Sequence, residues 1–283
     1  NQGYELSIES DNLTGAFSWT TAFNIAFNRN KVLELGGEEY KEMAEGDGHL
    51  KTGSVRRLIV GEPIGVFYGY RFDGIFQNEE ECKQQTSSAS PIGVGLRRYK
   101  DLNGDGKVDA ANDREILGDA NPKFFGGLTN TFAYKGFELN VFLQYSYGNK
   151  ILNYNAMELE NPTGGQNAYA DMVNRWTPEN PSNIYPKATT NRALLVSDRF
   201  IEDGSYLKLK TLSLSYSFPK INLKHIQGLR LYVTGQNLLT WTKYRGYDPE
   251  VSYRGASTLE AGEDFGGYPQ SRTFMFGIKL DIK

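Results

Sequence analysis

The C-terminal stretch of the chain alternates strictly between apolar and polar side chains. Within Arg272–Ile282 the apolar residues occupy every second position: Phe274, Phe276, Ile278, Leu280 and Ile282. Successive side chains of a β-strand point to opposite faces of its sheet, so this pattern predicts a strand with one apolar and one polar face. The same alternation runs the length of Phe137–Tyr147, which is about twice the length of a typical strand.

The alternation, with the turn residues between its segments, predicts nine strands. The hairpin turn Tyr134-Lys-Gly-Phe137 joins two of them, with a glycine available for positive φ. Apolar positions change phase within the seventh strand, and a β-bulge near Lys210-Thr211 would return them to one face. The predicted strands are Gly3–Glu9, Ala16–Asn28, Ser54–Val60, Ile64–Asp73, Phe124–Tyr134, Phe137–Tyr147, Tyr206–Phe218, Leu229–Trp241 and Arg272–Ile282.

The connections between these strands alternate between short and long. The long connections are Lys31–Gly53, Gly74–Lys123, Asn149–Ser205 and Lys243–Ser271. Outer-membrane β-barrels have short periplasmic turns and long extracellular loops, so the pattern predicts an antiparallel transmembrane β-barrel segment with its long loops outside. A barrel in hydrocarbon must close, and such barrels usually have an even number of strands. We therefore expect the nine strands to require further strands upstream of Asn1.

Composition is consistent with this interpretation and excludes others. The mean hydropathy is −0.52, and no apolar run approaches the roughly 20 residues of a transmembrane helix. Aromatic residues make up 13% of the chain, which suits β structure with interfacial side chains. The net charge of −3 and the scattered basic residues argue against nucleic-acid binding. The chain opens on a strand-like pattern without a signal peptide, so a fragment is expected.

Five stretches resemble, in order, the C-terminal third of SusC/RagA-type TonB-dependent transporters. Each stretch is weak evidence alone, but their shared order over most of the 283 residues is specific. One departure is the chain end, Asp281-Ile-Lys283, where barrel proteins often finish on an aromatic residue. The stretches are Gly61–Tyr70 continuing to Asp73–Gln77, Lys100–Gly106, Arg175–Asn180, Glu202–Lys210, and Gly235–Trp241 with Gly246–Glu250.

The resemblance implies a 22-stranded barrel that imports oligosaccharides or peptides across the outer membrane of a Gram-negative bacterium. It also implies an N-terminal plug, a SusD-like surface lipoprotein that closes over the extracellular mouth, and energy supplied through TonB. Residues 1–283 would be the C-terminal part of the barrel, without the plug and the TonB box. This part would supply barrel wall, contact with lipid and a polar lumen lining that includes Asn24, Asn140, Gln144 and Gln236.

One loop matches the first nine positions of a calcium-binding loop. Asp101, Asn103, Asp105 and Asp109 stand at positions 1, 3, 5 and 9, Lys107 offers its carbonyl at 7, and Gly106 makes the turn at 6. Position 12 departs from the pattern, because Asn112 stands there and Asp113 follows. Either Asp113 closes the site after one extra residue or Asn112 gives a weaker site. We expect Ca²⁺ to stiffen this loop, with a metal-free turn as the alternative.

No catalytic site is expected. His49 and His225 lie in different connections, and the single cysteine, Cys82, stands in a polar stretch without a nearby histidine. Two acidic pairs could be imagined as glycosidase carboxylates, but exposed loop acids are usually solvated. These pairs are Glu158 with Glu160, and Glu260 with Glu263.

Two groups of aromatic residues suggest different roles. The first lies near strand ends and predicts an interfacial girdle: Trp19, Tyr134, Phe137, Trp241 and Tyr244. The second lies in one long connection, where packing within the loop or against the lid is favoured over ligand stacking: Tyr154, Tyr169, Trp176 and Tyr185.

Two rival folds would give a soluble protein. A secreted calcium-dependent carbohydrate-binding β-sandwich would explain the calcium loop and the aromatic residues. A surface glycoside hydrolase would need two positioned carboxylates, whereas the predicted strands offer mainly Asn, Gln, Ser and Thr. Neither rival explains long strands with two distinct faces or loops that are long at one end only.

Overall fold

A computed structural model describes most of the chain. The described residues are 1–43, 49–50, 52–161, 167–190, 194–218, 226–250, 252–253, 255, 257 and 259–282.

Seven long strands form one antiparallel sheet in the part of the chain that the structure describes. Each long strand pairs with the long strands that precede and follow it in the chain, so the sheet is an up-and-down meander from β1 to β7. The strands are β1 (Gln2–Thr14), β2 (Phe17–Arg29), β3 (Phe124–Tyr134), β4 (Phe137–Tyr147), β5 (Tyr206–Ser217), β6 (Ile226–Thr242) and β7 (Thr273–Ile282).

Turn chemistry and register agree with the sequence-based prediction. Between β3 and β4, Lys135 and Gly136 both have positive φ, at 47° and 87°, as a two-residue hairpin turn requires. Between β4 and β5 the register shifts where Phe142 pairs with Thr211 and Leu143 with Leu209, which leaves Lys210 unpaired. The predicted β-bulge is therefore confirmed.

The predicted number of long strands was wrong, because Ser54–Val60 and Ile64–Asp73 are not part of the sheet. Their place is taken by the short strands Arg57–Ile59, Val66–Gly69 and Phe72–Ile75. Val66 and Phe67 are neighbours in sequence, yet both are buried, at 1% and 0% exposure. A run buried on both faces belongs to the interior of a folded domain rather than to a strand with one polar face.

Short and long connections still alternate along the seven-stranded sheet, because the two predicted strands that are absent from it were consecutive. The turns β1–β2 and β3–β4 lie at one end of the sheet, where β5 also ends and β6 begins. The described parts of the three long connections, residues 30–123, 148–205 and 243–272, lie at the opposite end. We refer to these three connections together as the loop domain.

Short elements and a shared apolar core organise the loop domain. All three connections contribute to this core: Phe67 comes from the first, Leu152 and Tyr154 from the second, and Phe265 packs against them from the third. The remaining strands are Tyr40–Glu42, Thr86–Ser87, Arg97–Tyr99, Lys107–Val108, Glu115–Asp119, Lys150–Asn153, Ile201–Asp203 and Glu263–Asp264. The helices are Glu79–Lys83 and Tyr154–Leu159, with 3₁₀ turns at Ala170–Asn174 and Asp198–Phe200.

Candidate functional site

The sheet has one apolar and one polar face, and the pairing register shows how each is assembled. A row of paired residues crosses six strands on the apolar face: Ile8, Phe23, Leu128, Leu143, Leu209 and Leu239. The neighbouring row lies on the opposite face: Ser7, Asn24, Gly127, Gln144, Lys208 and Thr240. By the same register, all four predicted polar-face residues share this second face: Asn24, Asn140, Gln144 and Gln236.

The apolar face is exposed. On β7, Phe276 is 82% exposed and Ile278 is 68% exposed, and on β1 Tyr4 is 82% exposed. A contiguous apolar surface of this kind on a protein in water marks a site that another apolar phase covers. The face therefore requires lipid or a partner of similar polarity.

Aromatic side chains cluster at both ends of the apolar face. Near the short turns, the rings of Trp19 and Phe132 stack with their centroids 5.8 Å apart. Near the loop domain, the rings of Phe124 and Tyr147 stack at 5.0 Å. The register places four of the five predicted girdle residues on this face: Trp19, Tyr134, Phe137 and Trp241.

Tyr244 does not belong with that group. It is only 5% exposed, and its hydroxyl donates to Asp264 Oδ2 at 2.5 Å inside the loop domain. Burial and the neighbouring Asp264 carboxylate raise the pKa of Tyr244 far above its ordinary value. The prediction of an interfacial role for this residue was wrong, because the chain has already turned back into the loop domain after Thr242.

Polar groups on the apolar face bond to one another. Asn130 pairs with Thr21 across β2 and β3, and both interrupt the apolar rows. The Asn130 side-chain oxygen accepts hydrogen bonds from Trp19 Nε1 at 2.9 Å and from the Thr21 hydroxyl at 2.8 Å. Such internal pairing lowers the cost of polar groups next to hydrocarbon.

The polar face carries hydrogen bonds between neighbouring strands. Asn140 donates to the Thr131 hydroxyl at 2.9 Å, and the hydroxyls of Ser213 and Thr234 are 2.8 Å apart. These side chains offer donors and acceptors without net charge. The face therefore suits contact with water or with a polar solute.

A buried lysine joins the sheet to the third long connection. Lys208, on β5, is 1% exposed, and its ammonium donates to Asp248 Oδ1 at 3.0 Å and to Glu250. The bulged Lys210 donates to Glu250 Oε2 at 2.9 Å. Two stretches that carried the family resemblance, Glu202–Lys210 and Gly246–Glu250, therefore meet at one junction.

The two carboxyl groups of this junction are held in their ionised form. Burial alone would raise the pKa of Glu250, but hydrogen bonds and charge from Lys208 and Lys210 bring the pKa below its ordinary value. Burial acts on Asp248 in the same way, and hydrogen bonds from backbone N–H groups and Lys208 lower its pKa. Each carboxylate is therefore stabilised by the cations that it orients.

A second cluster of charges lies inside the loop domain around Glu160. Its carboxylate is 1% exposed and accepts from Arg199 Nη2 at 2.6 Å and from Arg245 Nη1 at 2.7 Å. Arg245 also pairs with Glu202 at 2.7 Å. Burial lowers the pKa of Arg245, but hydrogen bonds to Glu160 and Glu202 outweigh it and raise the pKa above its ordinary value.

The prediction that the acidic pairs are solvated is wrong for Glu160 and Glu263, which are 1% and 2% exposed. Glu263 is 2% exposed and pairs with the equally buried Arg56 at 2.9 Å. Both glutamates are therefore buried acids that hold arginines within the loop domain. Nothing in the local sequence distinguishes them from surface acids, since their partners are distant in sequence.

The predicted calcium loop folds as a series of tight turns. Asp101 accepts hydrogen bonds at 2.7 Å from the backbone N–H groups of Gly104 and Gly106, which have φ of 76° and 82°. Asn103 and Asp105 likewise accept from backbone N–H groups two residues further along. The loop thus brings the right kind of oxygen donors into a small segment.

The carboxylates at the later positions of the loop accept hydrogen bonds from a lysine and from backbone N–H groups. The Lys107 ammonium donates to Asp109 Oδ2 at 3.0 Å, which lowers the pKa of Asp109. Asp113 is fully buried and braces the loop by accepting from the N–H groups of Leu102 and Asp109 at 2.8 and 2.7 Å. Across the described residues, no group of three or more His, Cys, Asp or Glu side chains is arranged to hold a metal. The oxygen donors of the loop are of the kind that Ca²⁺ takes, and calcium binding here stays a prediction.

The remaining predicted residues serve packing. Tyr154 is completely buried in the core, and Trp176 Nε1 donates to Gln77 Oε1 at 3.0 Å. This agrees with the preference for packing over ligand stacking in the second connection. His49 lies 3.6 Å from Glu158, whereas His225 falls outside the described residues.

Cys82 lies in the helix Glu79–Lys83, where partial burial and the charges of Glu79 and Glu81 raise the pKa of its thiol. A raised pKa disfavours the reactive thiolate.

None of the described helices is both long and apolar enough to cross a membrane.

Comparison with known proteins connects this geometry to a family. No family model matches the chain. The chain is 39% identical over 287 residues to TonB-dependent receptor P3 of Formosa agariphila, which covers 99% of this chain and 28% of the relative. It is 27% identical over 295 residues to TonB-dependent receptor SusC of Bacteroides thetaiotaomicron, which covers 100% of this chain and 26% of the relative. These relatives are receptors rather than enzymes.

Solved structures share the fold. A solved structure of the RagAB peptide transporter matches with a TM-score of 0.75 at 23% identity, covering 98% of this chain and 29% of that chain. The chain thus spans a little over a quarter of the length of the relatives it matches. From the sequence matches, which extend over 99–100% of this chain, the chain belongs to the SusC/RagA-type TonB-dependent transporters.

Proposed function

We propose that this chain is the C-terminal barrel part of an outer-membrane importer that takes up oligosaccharides or peptides. The seven strands form part of the wall of a larger closed barrel, and the loop domain lies at its extracellular mouth. The apolar face contacts lipid and the polar face lines the lumen. The plug and the TonB contact belong to other parts of the complete protein.

The exposed apolar face is the observation that carries this proposal. Seven neighbouring strands present apolar rows to one side, with aromatic rings at both ends and polar residues on the other side. Both edge strands, β1 and β7, have one side without a partner among the described strands. Open edges are not tolerated in hydrocarbon, so strands from the rest of the protein must pair with them.

The partners and substrates are proposed from the relatives. SusC and the RagAB peptide transporter support a SusD-like lipoprotein lid and energy from TonB. The similarity to the RagAB peptide transporter supports peptides as substrates, and the family resemblance of the sequence keeps oligosaccharides as the other class. Purification of the complete protein from outer membranes in mild detergent tests the partner: a co-eluting surface lipoprotein is expected, and its absence would contradict this part. Uptake of labelled peptides and oligosaccharides by cells with and without the protein then separates the two substrate classes.

A pair of neighbouring substitutions tests the orientation of the sheet. Leu212 lies on the apolar face near the middle of β5, and Ser213 lies on the polar face. Leu212→Arg in the complete protein should lower folding stability by about 2–4 kcal/mol, the cost of an arginine near the bilayer midplane. Ser213→Arg places the same charge on the lumen side and should be tolerated.

The measurement is the amount of each variant that reaches the outer membrane in folded form, assessed by heat-modifiable mobility in gels. Equal tolerance of both variants, or a larger loss for Ser213→Arg, would overturn the assignment of faces.

The alternative of a soluble calcium-dependent carbohydrate-binding sandwich predicts a different result. A sandwich buries its apolar face against a second sheet. Such a protein would stay in solution without detergent. Leu212→Arg would then destabilise it by disrupting the packing between the two sheets, not by placing a charge in the bilayer. The solubility of the native protein in salt buffer distinguishes the two folds.

Calcium binding at residues 101–113 is a second proposal. The ligands would be the side chains of Asp101, Asn103, Asp105, Asp109 and Asp113 with the carbonyl of Lys107. The donor type and spacing support it, and Lys107 opposite Asp109 favours a weak site with Kd on the order of 10⁻⁴ M or above. Bound Ca²⁺ would stiffen an extracellular loop.

Calorimetric titration of the complete protein with CaCl₂ tests this site. The Asp101→Asn, Asp105→Asn double variant should lose the binding, whereas Asp171→Asn, an exposed acid elsewhere in the loop domain, should retain it. Equal titration curves for all three proteins would reject the site.

A further inference from the structure

A trough runs along the loop-domain end of β5 on the apolar face of the sheet. Ser205 and Leu207 form its floor, and aromatic side chains of β4 and β6 form its walls. The register explains this arrangement, because Leu207 pairs with Tyr145 on one side and with Trp241 on the other. Since neighbouring strands are about 5 Å apart, the two walls are about 10 Å apart, which leaves room for one hydrocarbon chain.

The trough exists because a small residue stands where its neighbours are large. One step beyond the last residue pairs of β5, Ser205 lies between Tyr147 and Lys243. At the same height on β3 the position is filled by Phe124, whose ring lies 5.9 Å from that of Phe27 and 5.0 Å from that of Tyr147. The aromatic layer at this end of the apolar face is therefore closed over β3 and open over β5.

Hydrogen bonds hold the floor of the trough in place. The Ser205 N–H and hydroxyl donate to Asp203 Oδ1 at 3.1 and 2.6 Å, and the hydroxyl accepts from the N–H of Gly148 at 2.9 Å. The Ser205 carbonyl accepts from the Thr242 hydroxyl at 2.8 Å. All three polar groups of Ser205 thus have partners within the protein, so the shape of the trough does not depend on an occupant.

The polar end of the trough carries an excess of positive charge. Lys243 and Asp203 both line it, and Lys150 stands opposite Asp203 in the pairing of two short strands. Burial raises the pKa of Asp203, but hydrogen bonds from the trough floor and the charges of Lys150 and Lys243 bring the pKa below its ordinary value. The adjacent Glu202 is already paired with Arg245. Two lysines therefore share one carboxylate, which leaves one positive charge for an anionic group.

An occupant of this trough needs an apolar chain and an anionic head, and lipids have both. A soluble phosphate would match the lysine but would leave the aromatic walls uncovered. In the proposed importer the loop-domain end of the sheet is extracellular, so the trough opens into the outer leaflet. The outer leaflet of a Gram-negative outer membrane contains lipid A, which carries acyl chains on a phosphorylated sugar.

We propose that the trough along β5 binds one acyl chain of lipid A, with a phosphate of the same molecule paired to Lys243. This inference rests on the proposed function, since it requires the apolar face to lie in a membrane. The bound lipid fills the gap in the aromatic layer at the junction with the loop domain, where the second connection ends and the third begins.

Native mass spectrometry of the complete protein in detergent tests the phosphate contact. The probes are lipid A and the same lipid A after enzymatic removal of its phosphate groups. The wild type should bind lipid A about fivefold more tightly, which is the gain expected from one lysine next to an anionic lipid. Lys243→Gln should lose this preference. Lys135→Gln removes a lysine beside Tyr134 at the opposite end of the sheet and should retain it.

A second pair of variants tests the trough itself. Leu207→Trp fills the floor and should lower the affinity for both lipids, whereas Leu231→Trp makes the same change near the short turns and should not. The two leucines are equally exposed, at 40% and 39%, and both lie on the apolar face. Both variants should therefore fold.

Equal affinity of the wild type for the two lipids would overturn the proposal, as would a preference that survives in Lys243→Gln. The same lipid binding in both leucine variants would also overturn it. In each of these cases, a complete protein that still needs detergent and still forms a barrel leaves the proposed importer intact. A complete protein that stays in solution without detergent contradicts the importer itself, and the lipid site with it.

Discussion

The sheet and the loop domain bury opposite kinds of side chain. Every buried apolar residue in the described part of the chain lies in the loop domain, from Val32 to Tyr244. The buried side chains on the seven strands are polar, namely Lys208 and Ser215. The loop domain thus folds around its own core as a water-soluble protein does, whereas the sheet leaves its apolar rows for the surrounding medium.

This difference explains why the two regions need different kinds of stabilisation. Burial of apolar surface against itself stabilises the loop domain in water. In the sheet, hydrogen bonds between strands satisfy the backbone N–H and C=O groups. The apolar rows stabilise the fold only when a nonpolar phase covers them. The two regions are then joined by charged contacts, of which the Lys208 junction is the best defined.

The strongest test of this division removes part of the loop-domain core. Phe67 is fully buried in that core, with the guanidinium of Arg56 4.2 Å above its ring. Phe67→Ala should lower the stability of the loop domain by about 4 kcal/mol through lost burial and a cavity. Hydrogen exchange should increase in Lys150–Asn153 and Tyr154–Leu159 and remain unchanged in the seven long strands.

Tyr247→Ala is the matched control, because Tyr247 is 78% exposed in the third connection and should leave exchange unaffected. Equal loss of protection in the strands and the loop domain of Phe67→Ala would mean that the two regions unfold as one unit.

A smaller effect is expected from breaking the contact between the two regions. Lys208→Met would leave Asp248 and Glu250 with one cation fewer in a buried setting, and should cost about 3 kcal/mol. The third connection should then exchange faster and become sensitive to proteases. Lys210→Met removes a more exposed partner of Glu250 and should cost about 1 kcal/mol. An equal effect of both variants would show that burial of Lys208 adds nothing to the junction.

The smallest expected effect is the loss of stability of the Lys208 junction at acidic pH. The pKa values of Asp248 and Glu250 lie below their ordinary values of 3.8 and 4.5, so the junction stabilises the folded state above those values. Its contribution should be lost as the pH falls further, through the lowered pKa values in the folded protein. Protease sensitivity of the third connection should therefore rise below about pH 4 in the wild type and show less pH dependence in Lys208→Met. A wild-type junction that loosens between pH 5 and 7 would contradict this assignment.

Local sequence patterns were sufficient for most of the sheet. Phe124–Tyr134 and Phe137–Tyr147 have the predicted bounds, and the bulge lies at Lys210. These features depend on the two-residue period of a strand and on the φ preferences of turn residues, which are properties of neighbouring residues. The same period failed at Ile64–Asp73, since a run of apolar residues does not reveal whether one face or both will be buried.

Contacts between distant residues could not be predicted in this way. Glu160 looks like a surface acid until Arg199 and Arg245 approach it from the second and third connections. Tyr244 follows an aromatic strand end and looks interfacial until Asp264 accepts its hydroxyl hydrogen. In both cases the partner is 20 or more residues away, and burial changes the chemistry of the side chain.

The sequence alone determined that this chain forms long two-faced strands with long connections at one end, because alternation and turn chemistry act over a few residues. Its motifs also indicated the family before any fold was known. The tertiary structure decided which apolar segments enter the sheet and which form the loop-domain core, because that choice depends on what covers the second face of each strand. It likewise decided which charges are buried, because a charge is kept in the interior only where distant parts of the chain bring its partners together.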